Sequence, residues 1–209
     1  MPLTIACLHT AADNAAIFDA AAGALPGGAL RLTHHIRPDL LREPTPDTLD
    51  EAASLLRALT RDADAVLLTC STIGAAAGLA GGGTCPVLRA DAALAEAAAR
   101  SGDTVQVLYA APTTLEPTRR LFEAAASRTG ASIQMRFIEG AWALFLAGET
   151  GAYHAAIVGA AQGLEGRIVL AQASMAGAAA LMQHASPLTV PGIGVMAAAR
   201  AAVLARNSR

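Results

Sequence analysis

No lysine occurs anywhere in the 209 residues; all 15 basic residues are arginine, set against 17 acidic ones. A chain without lysine cannot form a Schiff base with pyridoxal phosphate or with a carbonyl substrate. Nor can it complete a phosphate loop of the G-x-x-x-x-G-K-S/T type. Charge is scarce too, at 15% of residues and a formal net of −2, so nothing basic points to a nucleic-acid partner. Cysteine is limited to Cys7, Cys70 and Cys85, an odd set without C-x-x-C spacing, which fits a reducing cytoplasm better than a disulfide scaffold. Metal-ligand spacing is missing as well: His9, His34, His35, His154 and His184 show no H-x-x-x-H pattern, so no metal is expected.

The opening Met1-Pro2-Leu3-Thr4-Ile5-Ala6-Cys7-Leu8 has no basic stretch ahead of a long apolar one and reads as a strand rather than a signal peptide. Residues 168–199 carry no charge, but Gln172, Gln183, His184, Pro187, Pro191, Gly192 and Gly194 interrupt them, so no membrane span is expected. What remains is a 54% hydrophobic chain, enough for one large domain or two small ones and too apolar for disorder.

Apolar β-prone runs alternate with alanine-rich helical stretches along the whole length. The pattern predicts strands over 2–8, 30–36, 64–69, 104–110, 131–138 and 166–171. Helices are predicted over 11–24, 47–60, 90–101, 115–129 and 151–162, with a last one from about Val195 to Arg206. Alternation of this kind implies α/β layering around parallel sheets, where ligands gather at the carboxyl ends of strands. The chain also repeats itself. Val66 to Thr72 aligns with Ile168 to Ser174, so that Leu68 meets Leu170, Cys70 meets Gln172 and Thr72 meets Ser174. Ile5 to Thr10 resembles Val107 to Thr114 in running from a strand into hydroxyl residues. A duplicated unit would set two equivalent strand–loop–helix corners across one cleft.

Thr69-Cys70-Ser71-Thr72-Ile73-Gly74 follows the apolar run 65–68 and precedes a small-residue stretch. Such placement puts Cys70 at a strand end and a helix start, where helix amides favour the thiolate. The same amides, with the Ser71 and Thr72 hydroxyls, can hold a carboxylate. A thiolate beside an anion cradle suits proton movement at the carbon next to a carboxyl group. The competing reading is a buried structural cysteine, the commoner fate of that residue.

TCSTIG at 69–74, PVLRADAALAEAA at 86–98, VLYAAPTTLEPTRRLFEAAA at 107–126 and VLAQASMAGA at 169–178 resemble the aspartate/glutamate/hydantoin racemase superfamily. That superfamily includes arylmalonate decarboxylase and maleate isomerase. The resemblance covers nearly the whole chain in order, and PTTLEPTRR is its most specific part. It implies two pseudo-symmetric α/β lobes, 1–92 plus 191–209 and 93–190, with an active site between them that needs no cofactor. It matches Cys70 to the first catalytic cysteine, and Thr72, Thr113 and Thr114 to hydroxyls that bind substrate carboxylate. His9 and Thr10 fall at the pocket-lining first loop; Ser71, Ala173 and Ser174 flank the two catalytic positions. A small carboxylate or amino-acid-like substrate and a homo-oligomer are its further implications.

This sequence departs from the family at the second catalytic cysteine, where it has Gln172, whose amide could hydrogen-bond a substrate carboxylate or enolate. Two-base racemisation needs a base on each face of the stereocentre, and an amide is neither acid nor base near neutral pH. Four readings stay open: a one-cysteine lyase or decarboxylase, thiol addition in cis–trans isomerisation, a racemase with another second base, and a non-catalytic dicarboxylate binder.

Other features carry less. Gly192-Ile193-Gly194-Val195-Met196-Ala197 fits G-x-G-x-x-G/A by letter, but it is expected to be a turn into the last helix. Ser174 lacks G-x-S-x-G, and no acid follows Glu165 to complete a hydrolase triad. Trp142, Phe145 and Leu146 sit at helical spacing and are expected in the core.

Overall fold

The computed structural model describes residues 2–26, 30–100, 102–183 and 186–208. His184, one of the histidines weighed above, lies outside them. The described chain divides into two units: residues up to Ala93 with those from Pro191 onward, and Leu94–Val190.

The first unit is built on β1 (Leu3–His9), β2 (Leu30–Ile36), β3 (Ala65–Leu68) and β4 (Val87–Arg89), all parallel, in the order β2-β1-β3-β4. The second is built on β5 (Thr104–Tyr109), β6 (Ser132–Phe137), β7 (Arg167–Leu170) and β8 (Leu188–Thr189), parallel in the order β6-β5-β7-β8. The two sheets therefore share one topology. Their central strands are apolar almost throughout: β3 is buried at every residue, and β1 from Ile5 to His9. Parallel strands covered on both faces need that composition. The edge strand β6 alternates instead, with Ser132 and Gln134 exposed and Ile133 and Met135 half-buried.

Helices α1 (Asn14–Gly23), α2 (Pro46–Leu59), α3 (Ala76–Ala80), α4 (Ala90–Ala99), α5 (Leu115–Ala126), α6 (Ala141–Leu146), α7 (Thr150–Ala161) and α8 (Val190–Asn207) alternate with these strands. Pro46 opens α2, and the Thr45 hydroxyl accepts the Thr48 amide at 3.3 Å, a side-chain cap for an otherwise orphan donor. Ala52, Ala53 and Leu56 of α2 recur at helical spacing and pack with Leu8, Val66 and Leu68. Each fully buried leucine there contributes about 1.5–3 kcal/mol. The second core gathers Leu108, Tyr153, Ile157, Leu170 and Met175.

Four differences from the sequence reading have physical causes. Strands β4 and β8, of three and two residues, are too short to carry a periodic signal. Helices α3 and α6 are also short, and Leu146 at the end of α6 is 69% exposed rather than in the core with Trp142 and Phe145. The last helix begins at Val190, so Gly192 to Ala197 lie inside it rather than in a turn. Pro191 is tolerated in the first turn, where its missing N–H has no helical partner to lose. Gly194 is required because an added Cβ would stand 2.8 Å from the Cβ of Ala90. Among the described residues no helix is long and apolar enough to cross a membrane.

Candidate functional site

In the first unit Leu8 and Leu68 are register partners, and the Thr69 amide donates to the Leu8 carbonyl at 3.1 Å. That join brings His9-Thr10 and Thr69-Cys70 side by side at the carboxyl ends of β1 and β3. Thr10 is 6% exposed and Cys70 8% exposed, whereas Ser71 is half-buried and Thr72 exposed. Cys70 does not stand at a helix start. Residues 71–75 form tight turns, with the Gly74 amide on the Ser71 carbonyl at 3.1 Å and the Ala76 amide on the Ile73 carbonyl at 3.0 Å. Helix α3 follows only at Ala76 and is five residues long, so the expected helix dipole is not what flanks the thiol. The Arg89 guanidinium fills the space a Cβ at Gly74 would need. Arg89 is itself paired with Asp91, Nε to Oδ1 at 3.0 Å and Nη2 to Oδ2 at 2.8 Å.

His9 is the last residue of β1 rather than part of the loop, and it is fully buried. Its Nδ1 lies 2.8 Å from Thr69 Oγ1 and its Nε2 lies 2.8 Å from His34 Nδ1, while His34 Nε2 lies 3.1 Å from Asp19 Oδ1. Thr69 Oγ1 also lies 3.0 Å from the Leu8 carbonyl, to which it can donate. Burial, and secondly the neighbouring His34, hold the His9 imidazole down at about 4, so the ring is neutral at neutral pH. Cys7, within β1, is fully buried; burial pushes its thiol up to about 12. Cys7, His9 and His34 are the one His/Cys/Asp/Glu cluster with metal-ligand spacing among the described residues.

In the second unit the Ala171 amide donates to the Leu108 carbonyl at 3.0 Å, the same join as in the first. Gln172 follows in extended conformation, and its Oε1 accepts the amides of Ala110 at 2.6 Å and Ala111 at 2.9 Å. Two consecutive backbone donors thus converge on one oxygen just past the end of β5. Pro112–Thr114 form a 3-10 turn directly after them, with the Thr114 hydroxyl donating to the Ala111 carbonyl at 2.7 Å and Thr113 exposed. Gln172, Thr113 and Thr114 are therefore gathered at one corner. Ala173 and Ser174 open a 3-10 helix over Ala173–Leu181. The Ser174 hydroxyl lies 2.9 Å from the Tyr153 hydroxyl, a contact with the second core rather than with the Gln172 amide pair.

Sequence reasoning set His34 aside as a ligand, gave Thr69 no role of its own, and missed Asp19 and the Ala110 and Ala111 amides. The C-x-H alternation at Cys7 and His9 on a strand was the available signal for the first group. Nothing in the letters marks a backbone amide. A cavity of about 700 Å³ lined by Asp103, Thr104, Gly166 and Arg167 lies at the amino ends of β5 and β7. That is the opposite end of the sheet from Gln172, and parallel sheets bind ligands at the carboxyl ends.

No protein-family model and no curated protein matches the chain. Solved structures do. The aspartate racemase of Picrophilus torridus superposes with a TM-score of 0.74 at 9% identity, over 96% of this chain and 94% of that one. Allantoin racemase from Klebsiella pneumoniae superposes at 0.65 and 20% identity, over 97% and 88%. A point mutant of arylmalonate decarboxylase in a sulfate-associated form gives 0.62 and 15%, over 96% and 93%. With two parallel four-stranded units of identical strand order, the chain shares the fold of these two racemases and of arylmalonate decarboxylase.

Proposed function

We propose that the chain is a cofactor-independent enzyme acting on a small carboxylate, in which the Cys70 thiol moves one proton at the carbon beside the carboxyl group. The observation that carries this reading is the commitment of Gln172, whose side-chain oxygen is taken by the Ala110 and Ala111 amides at 2.6 and 2.9 Å. Racemisation by two bases needs an ionisable group at each of the equivalent positions 70 and 172, and an amide held in this way supplies none. The chemistry that fits one thiol is one-sided. In a decarboxylation the bond to the departing carboxyl group breaks and CO2 leaves. Its electron pair stays on the α-carbon as an enolate, Cys70 S–H gives that carbon its proton, and solvent restores the thiol. Thr10, Ser71, Thr72, Thr113 and Thr114 are the hydroxyls proposed to hold the remaining carboxylate, with His9 fixing the first strand end through Thr69. Racemase and decarboxylase folds among the similar structures support an enzyme of this kind. The partner proposed is a small carboxylate or amino-acid-like molecule, taken up by a homo-oligomer.

The low exposure of Cys70, at 8%, favours a second reading in which the chain binds a dicarboxylate without turning it over. Incubation in deuterated water with substituted malonates, amino acids and hydantoins separates the two. Turnover giving a product with one deuterium and one configuration, lost in Cys70→Ser, supports the enzyme. Inversion of an amino acid with deuterium uptake overturns the single-thiol mechanism. Ligand binding without any exchange supports the binder.

A further inference from the structure

Cys7 and His9 alternate along β1, so their side chains share one face of the sheet, and His34 on β2 is the register partner of Cys7. The Cys7 sulfur and one ring nitrogen each of His9 and His34 lie within 4.8 Å of one another. Cys7 and His9 are fully buried and His34 is half-buried. The outer face of each imidazole is already held: His34 Nε2 by Asp19 Oδ1 at 3.1 Å, and His9 Nδ1 by Thr69 Oγ1 at 2.8 Å. Metal-bound imidazoles are oriented in this way, the second nitrogen donating to a carboxylate or other oxygen acceptor.

The protons of this cluster can be placed in two ways. Let Thr69 donate to the Leu8 carbonyl, His9 Nδ1–H to Thr69, and His34 Nε2–H to Asp19. The two inner nitrogens, His9 Nε2 and His34 Nδ1, then present lone pairs to each other across 2.8 Å and need a cation between them. With neutral rings and no ion, the His9 proton sits on Nε2 and the Thr69 hydroxyl turns from Leu8 to His9. Leu8 then keeps the Thr69 amide at 3.1 Å. The pair is thus built to exchange one small cation for another.

We infer that Cys7, His9 and His34 form a mononuclear site for a borderline divalent transition ion of the Zn²⁺ class. One thiolate and two imidazoles select such an ion over Mg²⁺ or Ca²⁺, which demand oxygen ligands. Bonds of about 2.0–2.1 Å to nitrogen and about 2.3 Å to sulfur place tetrahedral ligand atoms roughly 3.3–3.7 Å apart. The imidazoles therefore part by about half an ångström and the sulfur draws in. On binding, Cys7 releases its S–H proton to solvent, the His9 proton moves to Nδ1, and three lone pairs go to the ion. No redox change is involved, and a solvent oxygen takes the fourth position. The site braces β1 against β2 and does not depend on the activity proposed for Cys70.

The test uses the whole chain, freed of metal, and Co²⁺ alone. One equivalent is expected to bind, with a near-ultraviolet thiolate-to-cobalt band that Zn²⁺ removes and excess Mg²⁺ leaves. Cys7→Ala should lose that band and Cys70→Ala should keep it. Asp19→Asn should weaken binding about 10–100-fold, as for other outer partners of metal ligands. Should Cys7→Ala fail to fold, the histidine ¹⁵N spectrum of the unaltered chain decides the matter. Zn²⁺ must then move His9 Nε2 and His34 Nδ1 while protons remain on His9 Nδ1 and His34 Nε2. No saturable Co²⁺ uptake, a band that survives in Cys7→Ala, or ring nitrogens untouched by Zn²⁺ would each overturn the site.

Discussion

Leu8 accepts the amide of Thr69 at 3.1 Å, and Leu108 accepts the amide of Ala171 at 3.0 Å, so one backbone join ties the central strands of both units. Around that join the side chains diverge. Where the first unit has His9, Thr69 and His34, the second has Tyr109, Ala171 and Met135 at the corresponding register positions. Where the first has Cys70, the second has Gln172, whose oxygen clasps two backbone amides. A repeated topology thus carries an ionisable network in one copy and a neutral hydrogen-bonded clasp in the other. The asymmetry lies in a few side chains at strand ends, since the strand order is the same in both.

The largest expected contrast is between the paired positions themselves. Cys70→Ala should lower kcat by about 10²–10⁴, the usual contribution of a positioned acid or base. Gln172→Ala should leave kcat within tenfold. Steady-state rates on the substrate found by the deuterium screen check both, and equal losses would erase the distinction between the corners.

Acid should act on one unit more than the other. Because burial holds His9 near 4 in the folded chain against an ordinary 6.5, the unfolded chain binds more protons between those values. This contribution to stability is therefore whole above about pH 6.5 and is lost as the pH drops toward 4, by about 3 kcal/mol. Urea midpoints at several pH values measure it, and His9→Gln should flatten the slope in that window.

Smaller again is the clasp. Gln172→Ala leaves the Ala110 and Ala111 amides without their acceptor, at about 1–3 kcal/mol of stability, whereas Gln172→Glu keeps an oxygen for both. Thermal melts of the two variants should differ in that order. The smallest contrast sets α2 against α7, the helices that precede β3 and β7. Thr45→Ala removes a side-chain cap and should cost about 1 kcal/mol, while Glu149→Ala removes none and should leave the melting temperature unchanged.

The six longer strands could be read from the chain, because β1, β3, β5 and β7 are mostly apolar between helical stretches while the edge strands β2 and β6 mix apolar with polar residues. Cys70 could be read too, as a chemically distinctive residue at a strand end. The helix expected to start at it begins only at Ala76, after turns over residues 72–75. Gln172 was legible as a departure from a cysteine, but its role was not. Its partners are backbone amides of Ala110 and Ala111, some sixty residues away, and such groups have no letter.

Composition and hydrophobic period determined that this chain would layer helices on parallel sheets, and the lack of lysine excluded a lysine Schiff base; that there are two sheets was implied by the internal repeat and the family resemblance. Only the tertiary structure decided what the strand ends hold. Strand register joined Cys7 and His9 to His34, and the turn after β5 gave Gln172 its two donors. Burial and hydrogen bonding depend on neighbours in space, and those neighbours are far apart along the chain.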